Sequence, residues 1–150
     1  MDNSRKGRKD WEAVMLRLMR TPRTRRDLER RMAERGCPDS TARELLDEYQ
    51  NLGMIDDRAY ALLYIESKQG CGARRLRDEL RDRGVSDEDI DDAFERSETD
   101  DLRRAVAEAE TIARIPGMTE RKLTARLLRR GFSYGDVCAA IEETGFCEEE

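Results

Sequence analysis

The chain has 150 residues, of which 42% are charged, 37% hydrophobic and 5% aromatic, and its 29 Lys and Arg against 34 Asp and Glu leave a formal charge of −5. It holds no histidine, which excludes Ser-His-Asp triads, Cys-His pairs, His general bases and zinc–histidine sites. No apolar run approaches the roughly 18 residues a membrane span needs, and no signal-peptide pattern opens the chain. The sequence therefore reads as soluble and intracellular, with no membrane partner.

Residues 1–9 (MDNSRKGRK) lack an apolar rhythm and are expected to form a disordered basic tail. From there Trp11, Val14, Met15, Leu18 and Met19 follow the i, i+3, i+4, i+7, i+8 spacing of an amphipathic helix, with Trp11 as its buried anchor. Thr21 and Pro22 break it. Segment 24–46 then predicts two helices: the first carries Leu28 and Met32 on one face and stops at Arg35-Gly36, and the second opens near Pro38 and buries Ala42, Leu45 and Leu46. After a break at Gly53, the stretch 57–68 is apolar nearly all round, as expected of a helix covered on more than one side. Asp56 and Asp57 stand at its start, where carboxylates satisfy free backbone N–H groups.

Segment 72–94 repeats the pattern of 24–46 without gaps at an offset of 48 residues, and 119–141 repeats it again after a further 47. Leu28, Leu76 and Leu123 share one column, Met32, Leu80 and Leu127 the next, and Gly36, Gly84 and Gly131 close each first helix. Ser86 with Asp89, and Ser133 with Asp136, are capping-box-like starts of the second helices. Between these segments Leu102, Ala105, Val106, Ala109, Ile112 and Ala113 predict one more amphipathic helix, ended at Pro116-Gly117. Nothing reads as a strand. The expectation is an all-α protein of three tandem three-helix repeats, 10–53, 54–98 and 99–146, forming an elongated, curved array with an acidic tail at 147–150.

Charge follows the same repeat. The middle helices are basic, with five bases to three acids over 24–35, five to three over 72–83 and five to one over 119–130. The last helices are acidic, at four acids to one base over 38–51, seven to one over 86–98 and three to none over 133–143. One reading is a set of solvated faces complementing the helix dipoles and one another; the other is a bipolar surface for docking on a polymer. No chemistry site emerges: Gly70-Cys71-Gly72 lacks the context of a phosphate loop, and Cys37, Cys71, Cys138 and Cys147 form no C-x-x-C pair, so free thiols are expected. Tyr60 and Tyr64, one turn apart, read as core before they read as a base-stacking platform. No cofactor or metal is called for, and the chain reads as a non-enzyme.

Two motifs carry a family resemblance. The run Leu52, Gly53, Met54, Ile55, Asp56, Asp57, Arg58, Ala59, Tyr60, Ala61 is similar to the signature joining the first two repeats of RecX regulatory proteins, and 72–85 (GARRLRDELRDRGV) resembles that family's second-repeat element. Leu76 stands where Ile is common, Ala59-Tyr60 replaces a frequent Arg-Phe, and the third repeat is the least typical. The resemblance covers residues 11–143. It implies a small monomeric protein that binds the RecA recombinase and modulates, chiefly inhibits, filament growth on single-stranded DNA, with weak direct affinity for that DNA. The residues expected at the partner are the recurrent cations Arg26, Arg74, Arg75, Arg121 and Lys122, with Asp57 and Tyr60 shaping the central repeat. Two other readings stay open here: a helix-turn-helix DNA regulator over 25–51, opposed by the acidity of its second helix, and a HEAT- or armadillo-like peptide scaffold of similar repeat length.

Overall fold

A computed structural model describes residues 6–148, and among them the backbone forms nine α-helices and no strand. They are α1 Arg8–Leu18, α2 Arg25–Glu34, α3 Asp39–Asn51, α4 Asp57–Ser67, α5 Ala73–Asp82, α6 Asp87–Ser97, α7 Asp101–Ala113, α8 Glu120–Arg129 and α9 Tyr134–Thr144. Arg8 and Lys9 thus form the first turn of α1 rather than part of a tail, while 1–5 and 149–150, at the ends of the two expected tails, lie outside the described residues.

Local chemistry starts and stops these helices where the sequence places the signals. The hydroxyls of Thr24, Ser86, Thr119 and Ser133 each accept from the backbone N–H three residues on, at 3.2 Å. Asp56 caps α4 through Arg58 N and Ala59 N, both at 3.1 Å. Pro38 supplies no such bond, and α3 begins with Asp39 behind its fixed φ. Gly36, Gly84 and Gly131 end the middle helices at φ of +88°, +87° and +94°, a region that costs any residue with a Cβ about 1–2 kcal/mol.

Each triplet closes around its own apolar cluster. Trp11, Met15, Leu28, Met32, Leu45 and Leu46 fill the first; Ile65, Leu76, Leu80 and Ile90 the second; and Leu123, Leu127, Phe132 and Val137 the third. Every helix pair in substantial contact belongs to one triplet. Hydrogen bonds and ion pairs between described residues link the first triplet to the second and the second to the third, with none from first to third. The triplets are therefore strung in chain order, not gathered into one bundle.

The two junctions repeat one design. At the first, the Thr24 hydroxyl donates to Arg83 O at 2.7 Å, and the first N–H of α2, Arg25 N, donates to Asp57 Oδ1 at 2.9 Å. At the second, Gly72 N donates to Arg130 O at 2.7 Å, and the first N–H of α5, Ala73 N, donates to Asp101 Oδ2 at 2.9 Å. In both, the leading carboxylate of one unit's first helix caps the middle helix of the unit before it. At the third unit the corresponding N–H, Glu120 N, donates instead to Glu148 Oε1 at 2.9 Å, so the chain's own tail takes the place of a following unit.

The second junction also carries a buried cation. Arg104 is 5% exposed and donates to Ile65 O at 3.0 Å, Cys71 O at 3.2 Å and Lys68 O at 3.4 Å, three carbonyls at and beyond the C-terminal end of α4. Among the described residues no carboxylate forms an ion pair with it; the negative end of the α4 dipole and the carbonyls hold the charge. Burial lowers its pKa, with Asp101 and Cys71 acting the other way.

Asp57 gives a smaller prediction. Burial raises its carboxyl above the usual range; the Arg25 N–H pulls it down, and Asp89 and Asp56 push it up. A raised folded-state pKa means the ionised carboxyl costs stability above that pKa, a cost relieved as pH falls through it. Asp57→Asn keeps the acceptor and loses the charge, so wild type should gain on it as pH drops from 7 to 4.5. Asp57→Ala leaves Arg25 N unsatisfied and should cost about 1–2 kcal/mol. Urea denaturation at both pH values measures both; a wild-type deficit that widens on acidification contradicts the assignment.

Candidate partner-binding surfaces

The seven residues expected at a partner fall into three groups. Asp57, Arg26 and Arg75 stand at the junctions: Asp57 caps α2, Arg26 packs its side chain against Gly84, and Arg75 lies against Gly131 while its Nε donates to Glu79 Oε1 at 2.9 Å. Arg74, Arg121 and Lys122 are exposed on α5 and α8. Tyr60 is half-buried, stacked on Tyr64 with ring centroids 6.1 Å apart, and opens onto the cleft between the first two units. The structure does not gather the seven into one site.

Much of the charge polarity is absorbed internally. Arg77 meets Asp91 at 2.6 Å and Arg81 meets Asp87 at 2.7 Å, tying basic α5 to acidic α6. Arg25 ties α2 to α3 through Asp47 at 2.6 Å. The third unit differs: among the described residues no ion pair joins α8 to α9. Lys122, Arg126 and Arg129 are all exposed, and at i, i+4 and i+7 they form one cationic stripe along α8. Arg121 adjoins it.

A second surface lies in the cleft between the first two units. Arg23, Arg26, Arg30, Arg31 and Arg83 line its floor and wall against two acids, Asp27 and Asp82. Arg23 and Arg31 each reach Asp27 Oδ2 at 3.0 Å, and Arg30 reaches Asp27 Oδ1 at 2.7 Å. Burial alone would raise the Asp27 carboxyl, but hydrogen bonds and charge from Arg23 and Arg31 outweigh it and hold the group below the usual range. One carboxylate shared by three guanidinium groups leaves the groove with surplus positive charge. Next to it is a notch of about 280 Å³ with a mixed lining: Met19, Met54, Ala59 and Leu63 on the apolar side, Thr21, Arg23 and Asp56 on the polar side, and Tyr60 at the boundary. That volume is just below the roughly 300–1,000 Å³ of ordinary small-molecule pockets.

No group of three or more metal-ligating side chains exists among the described residues. Cys37 and Cys71 are buried and Cys138 and Cys147 exposed, all as free thiols. No described helix is long and apolar enough to cross a membrane.

Residues 56–93, from the Asp56 cap through most of α6, match the family model described as "RecX, second three-helix domain". Over 140 residues the chain is 33% identical to the regulatory protein RecX of Mycobacterium avium, an alignment covering 86% of this chain and 81% of that one. The chain belongs to the RecX family of regulatory proteins. The RecX of Mycolicibacterium smegmatis is 35% identical over 134 residues, covering 80% of this chain and 71% of the relative. The crystal structure of RecX from Lactobacillus salivarius superposes with a TM-score of 0.80 at 22% identity, covering 93% of this chain and 97% of that one, which shows a shared all-helical fold. A second RecX crystal structure gives 0.74 at 24% identity, over 92% of this chain and 72% of that one.

The junction residues and the α8 stripe have different visibility in sequence. The stripe is readable as a run of cations at helical spacing. Arg104 is not, because it looks like any arginine between Leu102 and Ala105. The available signal was positional: Arg104 follows the leading Asp101 by three residues, as Tyr60 follows Asp57.

Proposed function

We propose that this RecX-family chain binds the RecA recombinase and restrains its nucleoprotein filament, and with it ATP hydrolysis, strand exchange and co-protease activity. The observation that carries the reading is the RecX relationship along most of the chain's length. The two surfaces support it in kind: a cation stripe on α8 suits the phosphates of a single strand inside a filament, and the cleft suits a protein. With a formal charge of −5, the chain as a whole lacks the electrostatics for tight non-specific DNA binding. A duplex-reading helix-turn-helix gains nothing from α3, whose four acids face one base. Action would be cytoplasmic, where RecA filaments form.

Co-sedimentation with RecA, with and without single-stranded DNA and nucleotide, tests this reading. The chain should pellet with the filament in near-stoichiometric amounts, and its absence from the pellet would overturn the reading. The stripe adds a finer expectation. Lys122→Glu with Arg126→Glu and Arg129→Glu should change stability by no more than about 1 kcal/mol, yet weaken filament binding and flatten its salt dependence. Filament affinity at two salt concentrations measures it, and an unaltered salt slope removes α8 from the interface.

A further inference from the structure

Helix α4 is apolar on more faces than this fold covers. Ala61, Tyr64 and Ile65 are buried in the second core, but Leu63 is 53% exposed and Met54, just before the helix, is 57% exposed. The two junctions explain where the uncovered surface lies. At the second, the residue three past the leading aspartate is Arg104, whose side chain passes into the joint and ends on α4 carbonyls. At the first, the same position holds Tyr60, whose ring turns to stack on Tyr64. A carbonyl at the end of α1, Leu18 O, is met instead by Arg23 Nε at 2.9 Å. The joint that Arg104 fills in one place is left as an open notch in the other, with Met19, Met54 and Leu63 on its apolar wall and the arginine groove of α2 beside it.

We propose that this cleft is a socket for an acidic peptide segment bearing one large apolar side chain. The side chain enters between Met19, Met54 and Leu63, and flanking carboxylates lie over Arg30, Arg31 and Arg26. The inference rests on the reading of RecA as the partner and names the chemistry by which a partner is held. Three features favour a peptide over a nucleic-acid strand. The notch walls are flexible, polarizable methionines and a leucine, which mould around an aliphatic or aromatic side chain, whereas base stacking needs a free ring face and that of Tyr60 is partly taken by Tyr64. Asp56 and Asp82 bound the positive surface to a short patch, which suits the few carboxylates of a peptide better than a continuous phosphate chain. The cations and the apolar wall lie side by side, the arrangement an amphipathic acidic segment requires.

The test uses the full chain, RecA without DNA, and a separate oligo-dT strand, with affinities measured by fluorescence anisotropy. Leu63→Glu and Arg30→Glu alter exposed side chains, and Leu63→Ala removes the anchor without adding charge; circular dichroism melts verify that each folds. Each variant should lose about tenfold or more in RecA affinity, the Arg30→Glu loss shrinking at high salt, with oligo-dT affinity unchanged. Wild-type binding to RecA with undiminished cleft variants overturns the socket and leaves the function standing. Cleft variants that lose oligo-dT instead of RecA make the cleft a strand groove and also overturn it. Wild type that ignores RecA altogether overturns the function reading, and the socket with it.

Discussion

Replacing Arg104 by methionine is expected to destabilise the protein by about 2–3 kcal/mol, because the Cys71 carbonyl loses its donor and those of Ile65 and Lys68 lose theirs from the next unit. For a chain of this length that corresponds to a fall in Tm of roughly 5–10 °C. Lysine brings one ammonium where the guanidinium reaches three carbonyls in a fixed fork, so Arg104→Lys should recover about half the loss. The damage should also be local: amide exchange accelerates at the end of α4 and the start of α7, while α1 to α3 keep their protection. A melting curve unmoved by Arg104→Met would mean the buried guanidinium does not hold the second and third units together.

The other large effect comes from two glycines that face each other across the same joint. A Cβ on Gly72 would sit 2.5 Å from the carbonyl carbon and oxygen of Gly131, and one on Gly131 would sit 2.5 Å from the backbone nitrogen of Arg75. Backbone cannot swing aside as a side chain can. Gly131→Ala adds the penalty of φ +94°, so it should cost about 3–4 kcal/mol, with Gly72→Ala close behind. Gly53→Ala is the control: its φ is +78° but nothing lies within 4 Å of the added carbon, so about 1 kcal/mol is expected. Equal losses at Gly131 and Gly53 in urea denaturation would show that conformational strain alone is at work and that the close approach is immaterial.

The helices and their cores were legible because burial enforces a period. Leu28, Leu76 and Leu123 recur in one column and all are at most 1% exposed. The caps at Ser86, Ser133 and Asp56 were legible because a hydroxyl or carboxylate just before a helix's free N–H groups is placed to accept from them. The joints were not. Asp57 reads as a carboxylate at the start of its own helix, yet it accepts from α2 of the preceding unit, a contact that depends on how two units are rotated. Arg104 carries no local mark of burial, since the carbonyls it meets lie more than 30 residues away in sequence. The charge polarity was visible as a pattern but not in its allocation: α5 spends its cations on α6, and α8 does not. For α4 the apolar circumference predicted cover on several sides, and the exposed Leu63 shows one side left bare.

The most direct measurement is RecA ATP hydrolysis on single-stranded DNA as this protein is titrated in. Hydrolysis should fall steeply as the added chain approaches the RecA concentration, and Arg30→Glu and Leu63→Ala should each shift the curve to higher concentrations. A rate that stays constant at large excess of folded wild-type protein would contradict the account.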